Sequence, residues 1–197
     1  MNWFGDLLIT ALYTAFVQNL VFSGGYGASE AFRLSYKPRK LFAFAIMISC
    51  FSVSTSALCH AAERFFLGNH FSVSTRVLVY SGILAAVYLI ATLVFRFILS
   101  ASKDFLSILG MAALNTMVLA IPFLNQRSAY SFADSVGSGL GAGVAFIIAA
   151  VLIASGVRNI SRNEKIPEAF RGTPAMFLYV GLLSLAFTGF SDSTIFS

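Results

Sequence analysis

"ILAAVYLIATLVF", residues 83–95, decides the fold. It carries no charge and no proline, and apolar residues do not alternate with polar ones, so it reads as a helix immersed in hydrocarbon and not as a barrel strand. Outward from it the apolar run widens to about residues 77–100, enough to cross a hydrocarbon core roughly 30 Å thick. Five similar runs, at about 3–22, 41–62, 105–124, 136–157 and 173–191, make six predicted spans. With 58% hydrophobic and only 11% charged residues in 197, the chain lies outside the range of soluble domains. The expected class is an all-α polytopic membrane protein forming a single membrane domain, 1–197. The N-terminal "MNWFGDLLIT" lacks a basic leader and a small-residue cleavage site, so the first helix is expected to stay.

The 13 basic residues outnumber the 8 acidic ones, yet their places in the loops assign them to topology and not to nucleic acid. Arg33, Lys37, Arg39 and Lys40 lie between spans one and two, Arg96 and Lys103 between three and four, and Arg158, Arg162, Lys165 and Arg171 between five and six. The opposite side holds Arg64, Arg76 and Arg127. The positive-inside rule makes the first set cytoplasmic and puts both termini outside. Six spans split into two groups of three, about 1–100 and 101–197, and an odd count per group forces related halves to be inverted. Asn19 near the end of span one and Asn115 within span four are a weak sequence echo between the halves, and on the residues alone polar contact between helices is the better reading.

Chemistry inside the spans is sparse. Asp6, Glu63, Arg96 and Asp104 all fall near span ends, where side chains reach water, so a central carboxylate is not expected. His60 and His70 flank one outward loop without a companion at metal-ligand spacing and read as interfacial histidines. Cys50 and Cys59, nine positions apart on one helix, point to opposite faces and read as small apolar side chains. Neither a nucleophile elbow nor a phosphate-binding loop is present.

Glycine is more informative. "GSGLGAGVAF" sets Gly137 four before Gly141 and Gly139 four before Gly143, two overlapping patterns that let helix backbones approach closely. In "NLVFSGGYGASEAFR", residues 19–33, Gly24, Gly25 and Gly27 follow an apolar run. They fit either an interfacial loop or an unwound stretch of a broken helix held inside protein.

The C-terminal "IPEAFRGTPAMFLYVGLLSLAFTGFS", residues 166–191, resembles the Rnf/Nqr family of membrane subunits, in the branch of the Rnf A-type and Nqr E-type proteins. Pro167, Phe170-Arg171-Gly172, Leu183 to Phe187 and Gly189-Phe190-Ser191 carry the match, supported more thinly by Gln18-Asn19, Asn115 and Leu124-Asn125. The resemblance implies two inverted three-helix repeats with helices 1 and 4 broken, in a component of an ion-translocating oxidoreductase of the prokaryotic cytoplasmic (inner) membrane. Its implied partners are a homologous membrane protein of the Rnf E type, together with flavin-bearing and ferredoxin-like subunits and the lipid bilayer. It also implies an intramembrane 2Fe-2S centre shared by the homologous pair, electrons from ferredoxin or NADH, and coupling to sodium or protons. On that resemblance the glycines become the interruption of helix 1, and Asn19, Gly24, Gly25, Gly27, Ser29, Asn115 and Thr116 line the centre.

Where the resemblance expects ligand cysteines, this chain has Ser29 and Thr116. Hydroxyls are poor ligands for iron–sulfur clusters and, with backbone carbonyls, suit a hard cation such as sodium. No cofactor is therefore assigned to this chain alone. The expectation is a membrane subunit of an Rnf-type complex, lacking its own cluster ligands. Alternatives are a divergent paralogue that transports a small ion or solute, or a purely structural membrane partner. Pro167, Phe170, Arg171 and Gly172 are expected at a cytoplasmic docking turn, and Gly137, Gly139, Gly141 and Gly143 in helix packing.

Overall fold

The structure, a computed structural model, describes residues 2–34, 37–67 and 72–191, the side chains of residues 38, 39, 67, 190 and 191 excepted. His70 lies outside the described residues. Among them every regular element is helical. α1 (Trp3–Leu12) ends in a π-helical turn at Tyr13–Val17, and α2 (Leu20–Gly24), α3 (Ala28–Leu34), α4 (Pro38–Ala62) and α5 (Val73–Leu93) follow. α6 (Lys103–Ala113), α7 (Thr116–Arg127), α8 (Phe132–Arg162) and α9 (Thr173–Ser191) complete the chain.

Local chemistry sets the starts of the long helices. Ser72 accepts the Thr75 N–H at the start of α5, and Ser102 accepts the Phe105 N–H at the start of α6. Ser131 and Asp134 form a reciprocal capping box on α8. Pro38 opens α4, where its missing N–H costs nothing. Among the described residues four helical rods are long and apolar enough to cross a membrane: Lys40–Phe66, Val73–Ile98, Lys103–Arg127 and Phe132–Arg162. Trp3–Val17 and Thr173–Gly189 are shorter apolar helices. The chain is a multi-pass membrane protein.

α8 is the central strut. Of its most apolar stretch 61% is buried, against 11% for Val73–Ile98, so α5 leaves a flank of Leu78, Leu89, Ile90 and Leu93 exposed. The glycines of α8 divide between two neighbours. A Cβ on Gly137 would strike the Leu7 carbonyl, and one on Gly141 the Ala11 carbonyl, both on α1. A Cβ on Gly139 would lie 2.7 Å from the Val53 nitrogen, and one on Gly143 2.7 Å from the Ala45 carbonyl, both on α4. Residues two apart on a helix point to nearly opposite sides, so the overlapping patterns hold α1 and α4 at once. In hydrocarbon, where apolar contact brings no hydrophobic gain, this close backbone approach supplies dispersion that longer side chains would block. Below the glycines, Phe146 packs on Phe44 with ring centroids 5.2 Å apart, and Ile48, Met117, Val118, Ile121 and Ile153 fill the core.

The first predicted span, about 3–22, departs from expectation. Its continuous helix ends at Val17, and Gln18-Asn19 separates it from α2. The interruption therefore begins before the glycines, because the Asn19 side chain takes up the free N–H of the next turn and starts a new helix. The glycines act later: Gly25 (φ +70°) closes α2, with the Gly25 and Tyr26 N–H groups both returning to the Leu20 carbonyl, and Gly27 (φ +72°) leads into α3.

Candidate functional site

Two asparagines make the same local device in different places. Asn19 Oδ1 accepts the Val21 N–H at 3.2 Å, and Asn115 Oδ1 accepts the Met117 N–H at 2.9 Å. Each caps a helix whose first turn would otherwise leave its N–H groups unpaired in a low-dielectric interior. Asn19 is wholly buried, and its Nδ2 donates to the Ala15 carbonyl at 3.3 Å and the Ala145 carbonyl at 3.1 Å, bonding the first break to α8. Asn115 breaks the rod Lys103–Arg127 at its midpoint, twelve residues from position 103 and twelve from 127.

The two breaks meet. After Gly25 and Gly27 turn the chain, the Gly27 N–H donates to Thr116 Oγ1 at 3.0 Å. A Cβ on Gly27 would come within 2.8 Å of Asn115 Oδ1, so the approach requires glycine for space as well as for its positive φ. From α3, Glu30 reaches the same point. Its Oε2 accepts from the Ser29 hydroxyl at 2.7 Å and from Asn115 Nδ2 at 3.4 Å. Gly27, Ser29, Asn115 and Thr116 thus come together around a carboxylate. Gly24 and Gly25 shape the turn that delivers it, and Asn19 belongs to the neighbouring contact with α8.

Glu30 corrects one expectation. Read along the chain it belongs to the first cytoplasmic loop, and no charge is expected near mid-span. The fold returns that segment to the level of Asn115, with about 18 Å of helix on either side at 1.5 Å per residue. No local pattern in the sequence marks this, because it depends on the α2–α3 turn and a contact 85 positions away.

The donors here do not fit an iron–sulfur cluster. Ser29 and Thr116 present hydroxyls, both exposed on the flank of the chain, and Glu30 a half-buried carboxylate. The cysteines lie elsewhere. Cys50 lines an apolar groove with Met47, Phe51, Val87 and Phe95, and Cys59 is buried beside a second cavity. Among the described residues no group of three or more His, Cys, Asp or Glu side chains could hold a metal ion.

That cavity, of about 400 Å³, opens between α4, α5, α7 and α8 at the end where α7 gives way to α8. Glu63 dominates it, accepting from Arg76 Nε at 2.8 Å and from the Tyr80 hydroxyl at 2.7 Å. Burial, then the nearby Tyr13 and Asp134, hold the Tyr130 phenol at its rim above the ordinary tyrosine value. His60, also in its wall, packs edge-on against Phe132 with centroids 5.8 Å apart. The Glu63–Arg76–Tyr80 network is not legible in the sequence, since its members come from two different helical segments. The turn at Pro167–Gly172 has its own structure: Arg171 donates to the Ile166 carbonyl at 3.0 Å and the Glu164 carbonyl at 2.7 Å. Phe170 is exposed on a short 3-10 turn that Pro167 precedes, and Gly172 follows at φ +75°.

Residues 7–193 match a family described as Rnf-Nqr subunit, membrane protein. The chain is 30% identical over 187 residues to the A-type subunit of the ion-translocating oxidoreductase complex of Rhodobacter capsulatus, covering 94% of this chain and 96% of that one. It is 40% identical to the A-type subunit of the proton-translocating ferredoxin:NAD(+) oxidoreductase complex of Clostridium ljungdahlii, over 41% of this chain and 42% of that one. To the E-type subunit of the Na(+)-translocating NADH-quinone reductase of Pseudoalteromonas translucida it is 33% identical, over 61% and 59% of the two chains.

Proposed function

We propose, from the premise that this chain belongs to the Rnf-Nqr family of membrane subunits, that it is the A-type membrane component of an ion-translocating electron-transport complex. The observation that carries this reading is the end-to-end match to the A-type protein of an ion-translocating oxidoreductase, which spans 94% of the chain. The contact of the Gly25–Gly27 turn with the asparagine-capped break at Asn115 supports it, because non-helical backbone at membrane depth is tolerated where it is buried in protein or lines a cavity.

In this reading the six apolar helices form two inverted three-helix repeats, about residues 1–100 and 101–197, in a prokaryotic cytoplasmic membrane with both termini outside. The basic loops support that orientation. A homologous membrane subunit packs on the flank where Ser29 and Thr116 are exposed, and the paired breaks line a pseudo-symmetric centre. In relatives of this kind the resemblance implies a 2Fe-2S group at that centre. This chain offers it no thiolate, so its own contribution is oxygen donors and a shaped backbone. On the cytoplasmic face, the Pro167–Gly172 turn, held by Arg171 and exposing Phe170, is the docking point for the flavin-bearing or ferredoxin-like subunits.

Capture of the chain by an affinity tag from its native membranes tests this. The expected result is stoichiometric recovery of a homologous membrane subunit with flavin-bearing and ferredoxin-like subunits, and ion movement that requires an electron donor. A chain that purifies alone and moves an ion in liposomes without a donor would establish the transporter alternative instead.

A further inference from the structure

We propose that the pocket between α3, α4 and α6, at the end of the molecule that carries the basic loops, binds the headgroup of an anionic phospholipid. The proposal requires only that the chain crosses a membrane, so it stands apart from the complex reading above.

The pocket has a volume of about 150 Å³ and holds three cations, Arg33 of α3 with Lys37 and Lys40 around the start of α4. Among the described residues none of the three makes an ion pair. The acidic residues of α3 and α6 do not supply the missing charge. Glu30 turns Oε2 to Ser29 and Asn115, and Asp104 stands in the first turn of α6. Arg33 sharpens the demand, because its guanidinium donates at 2.7 Å to Met111 Sδ, a weak and uncharged acceptor. Met111 lies eight residues into the rod that starts at Lys103, about 12 Å below its end at 1.5 Å per residue. An arginine cannot shed its proton to suit that depth, so it needs an anion there. The start of α4 adds to the positive field. It has no side-chain cap, unlike the starts of α5, α6 and α8, and the positive end of its dipole is left at the pocket.

The remaining walls decide which anion fits. Leu34, Phe44, Ile108 and Met111 are apolar, and a free hydrated anion gains nothing from them while losing water. A phospholipid carries its phosphate at the membrane boundary already, and its chains stay in hydrocarbon beside the same helices. Basic pockets between membrane helices hold such headgroups. Arginine offers a planar fork that meets two phosphate oxygens, and the lysines act as point charges. Three cations exceed the charge of one phosphodiester, which favours a headgroup with two, the arrangement in cardiolipin. Bound there, the lipid ties α3, the segment that leads away from the first break, to α4 and α6.

Native mass spectrometry of the full chain, purified by an affinity tag in detergent with defined lipids added, tests the site by counting and weighing what stays bound. The expected result is one cardiolipin per chain, retained in preference to equimolar phosphatidylcholine and not displaced by excess inorganic phosphate. Arg33→Gln, Lys37→Gln and Lys40→Gln combined should weaken binding by roughly fivefold for each cation removed. Unaltered helical circular dichroism shows that the triple variant is folded. If it misfolds, Lys37→Gln/Lys40→Gln decides with the same readout, since both lysines are exposed. Arg158→Gln/Arg162→Gln removes two cations from the basic end of α8, outside the pocket, and should leave binding unchanged. Equal cardiolipin binding by wild type and a folded pocket variant would overturn the proposal, as would an equal loss in the α8 variant, which would mean that lipid follows the basic face as a whole. Displacement by inorganic phosphate would overturn it in favour of a free anion. Wild-type chain that retains no cardiolipin would overturn it as well, leaving the three cations to an acidic segment of a partner subunit.

Discussion

At the first break Asn19 is wholly buried and its amide ties α1 to α8, whereas at the second Asn115 caps α7 next to the exposed Thr116 and donates to Glu30. One residue type performs one local task at both places, satisfying the N–H groups of a new helix with a side-chain oxygen. The surroundings separate the two. Gly137 and Gly141 on α8 hold α1 against the first break, and Asn19 spends its remaining donor on the Ala15 and Ala145 carbonyls, so that break is rigid and closed. The second keeps a donor for a carboxylate and an open flank. Interrupting a membrane helix is therefore not itself the functional feature. What matters is whether the protein closes the break or brings a charged group to it.

The largest effect should come from loosening the closed break. Gly141→Leu places a branched side chain against the Ala11 carbonyl and Thr14 of α1, and is expected to destabilise the chain by ~3 kcal/mol or more, seen as aggregation in detergent gel filtration. Next, Asn19→Ala removes a cap and leaves two carbonyls without their side-chain donor, for an expected loss of about 2–3 kcal/mol in thermal unfolding. Asn115→Ala should cost less, about 1–2 kcal/mol, because it loses a cap and one long hydrogen bond to Glu30 where Asn19→Ala loses a cap and two carbonyl contacts. Equal losses would erase the distinction between the two breaks.

A smaller comparison sharpens the junction. Gly25→Ala and Gly27→Ala both force a side chain into a left-handed backbone, at about 1–2 kcal/mol each, but only Gly27→Ala also pushes on Asn115 Oδ1. Gly27→Ala should thus lower the thermal unfolding midpoint further than Gly25→Ala, whose added Cβ meets nothing within 4 Å. The smallest expected effect is that of Arg171→Gln, which frees the Glu164 and Ile166 carbonyls on an exposed loop and should change chain stability by less than about 0.5 kcal/mol. Its readout is the yield of peripheral subunits on the captured complex.

These differences also mark what the residues reveal unaided. Long apolar runs without alternation locate the helices, because in hydrocarbon the backbone must satisfy its own hydrogen bonds. The two-residue offset between Gly137 and Gly139 already implies opposite faces. That these faces meet α1 and α4 is a tertiary fact, held in Leu7, Ala11, Ala45 and Val53, which carry no mark of it in the sequence. Near the first break, glycine drew attention to positions 24–27, while the interruption starts at Asn19, whose capping role is hidden inside an apolar run. Glu30 was the least legible. Its neighbours in sequence read as a cytoplasmic loop, and only the turn through Gly25 and Gly27 carries it to Asn115. Ser29 and Thr116 stood out only against the resemblance, and the fold brings both to the junction.

The claim that this chain brings oxygen and not sulfur to the meeting of its two breaks is tested most directly by iron content and electron paramagnetic resonance. The measurement compares the purified complex with its Ser29→Ala/Thr116→Ala counterpart. The expected result is the same iron per complex and the same spectrum in both, since neither hydroxyl ligates iron. An iron–sulfur signal present in the wild type and lost from the double variant would contradict it.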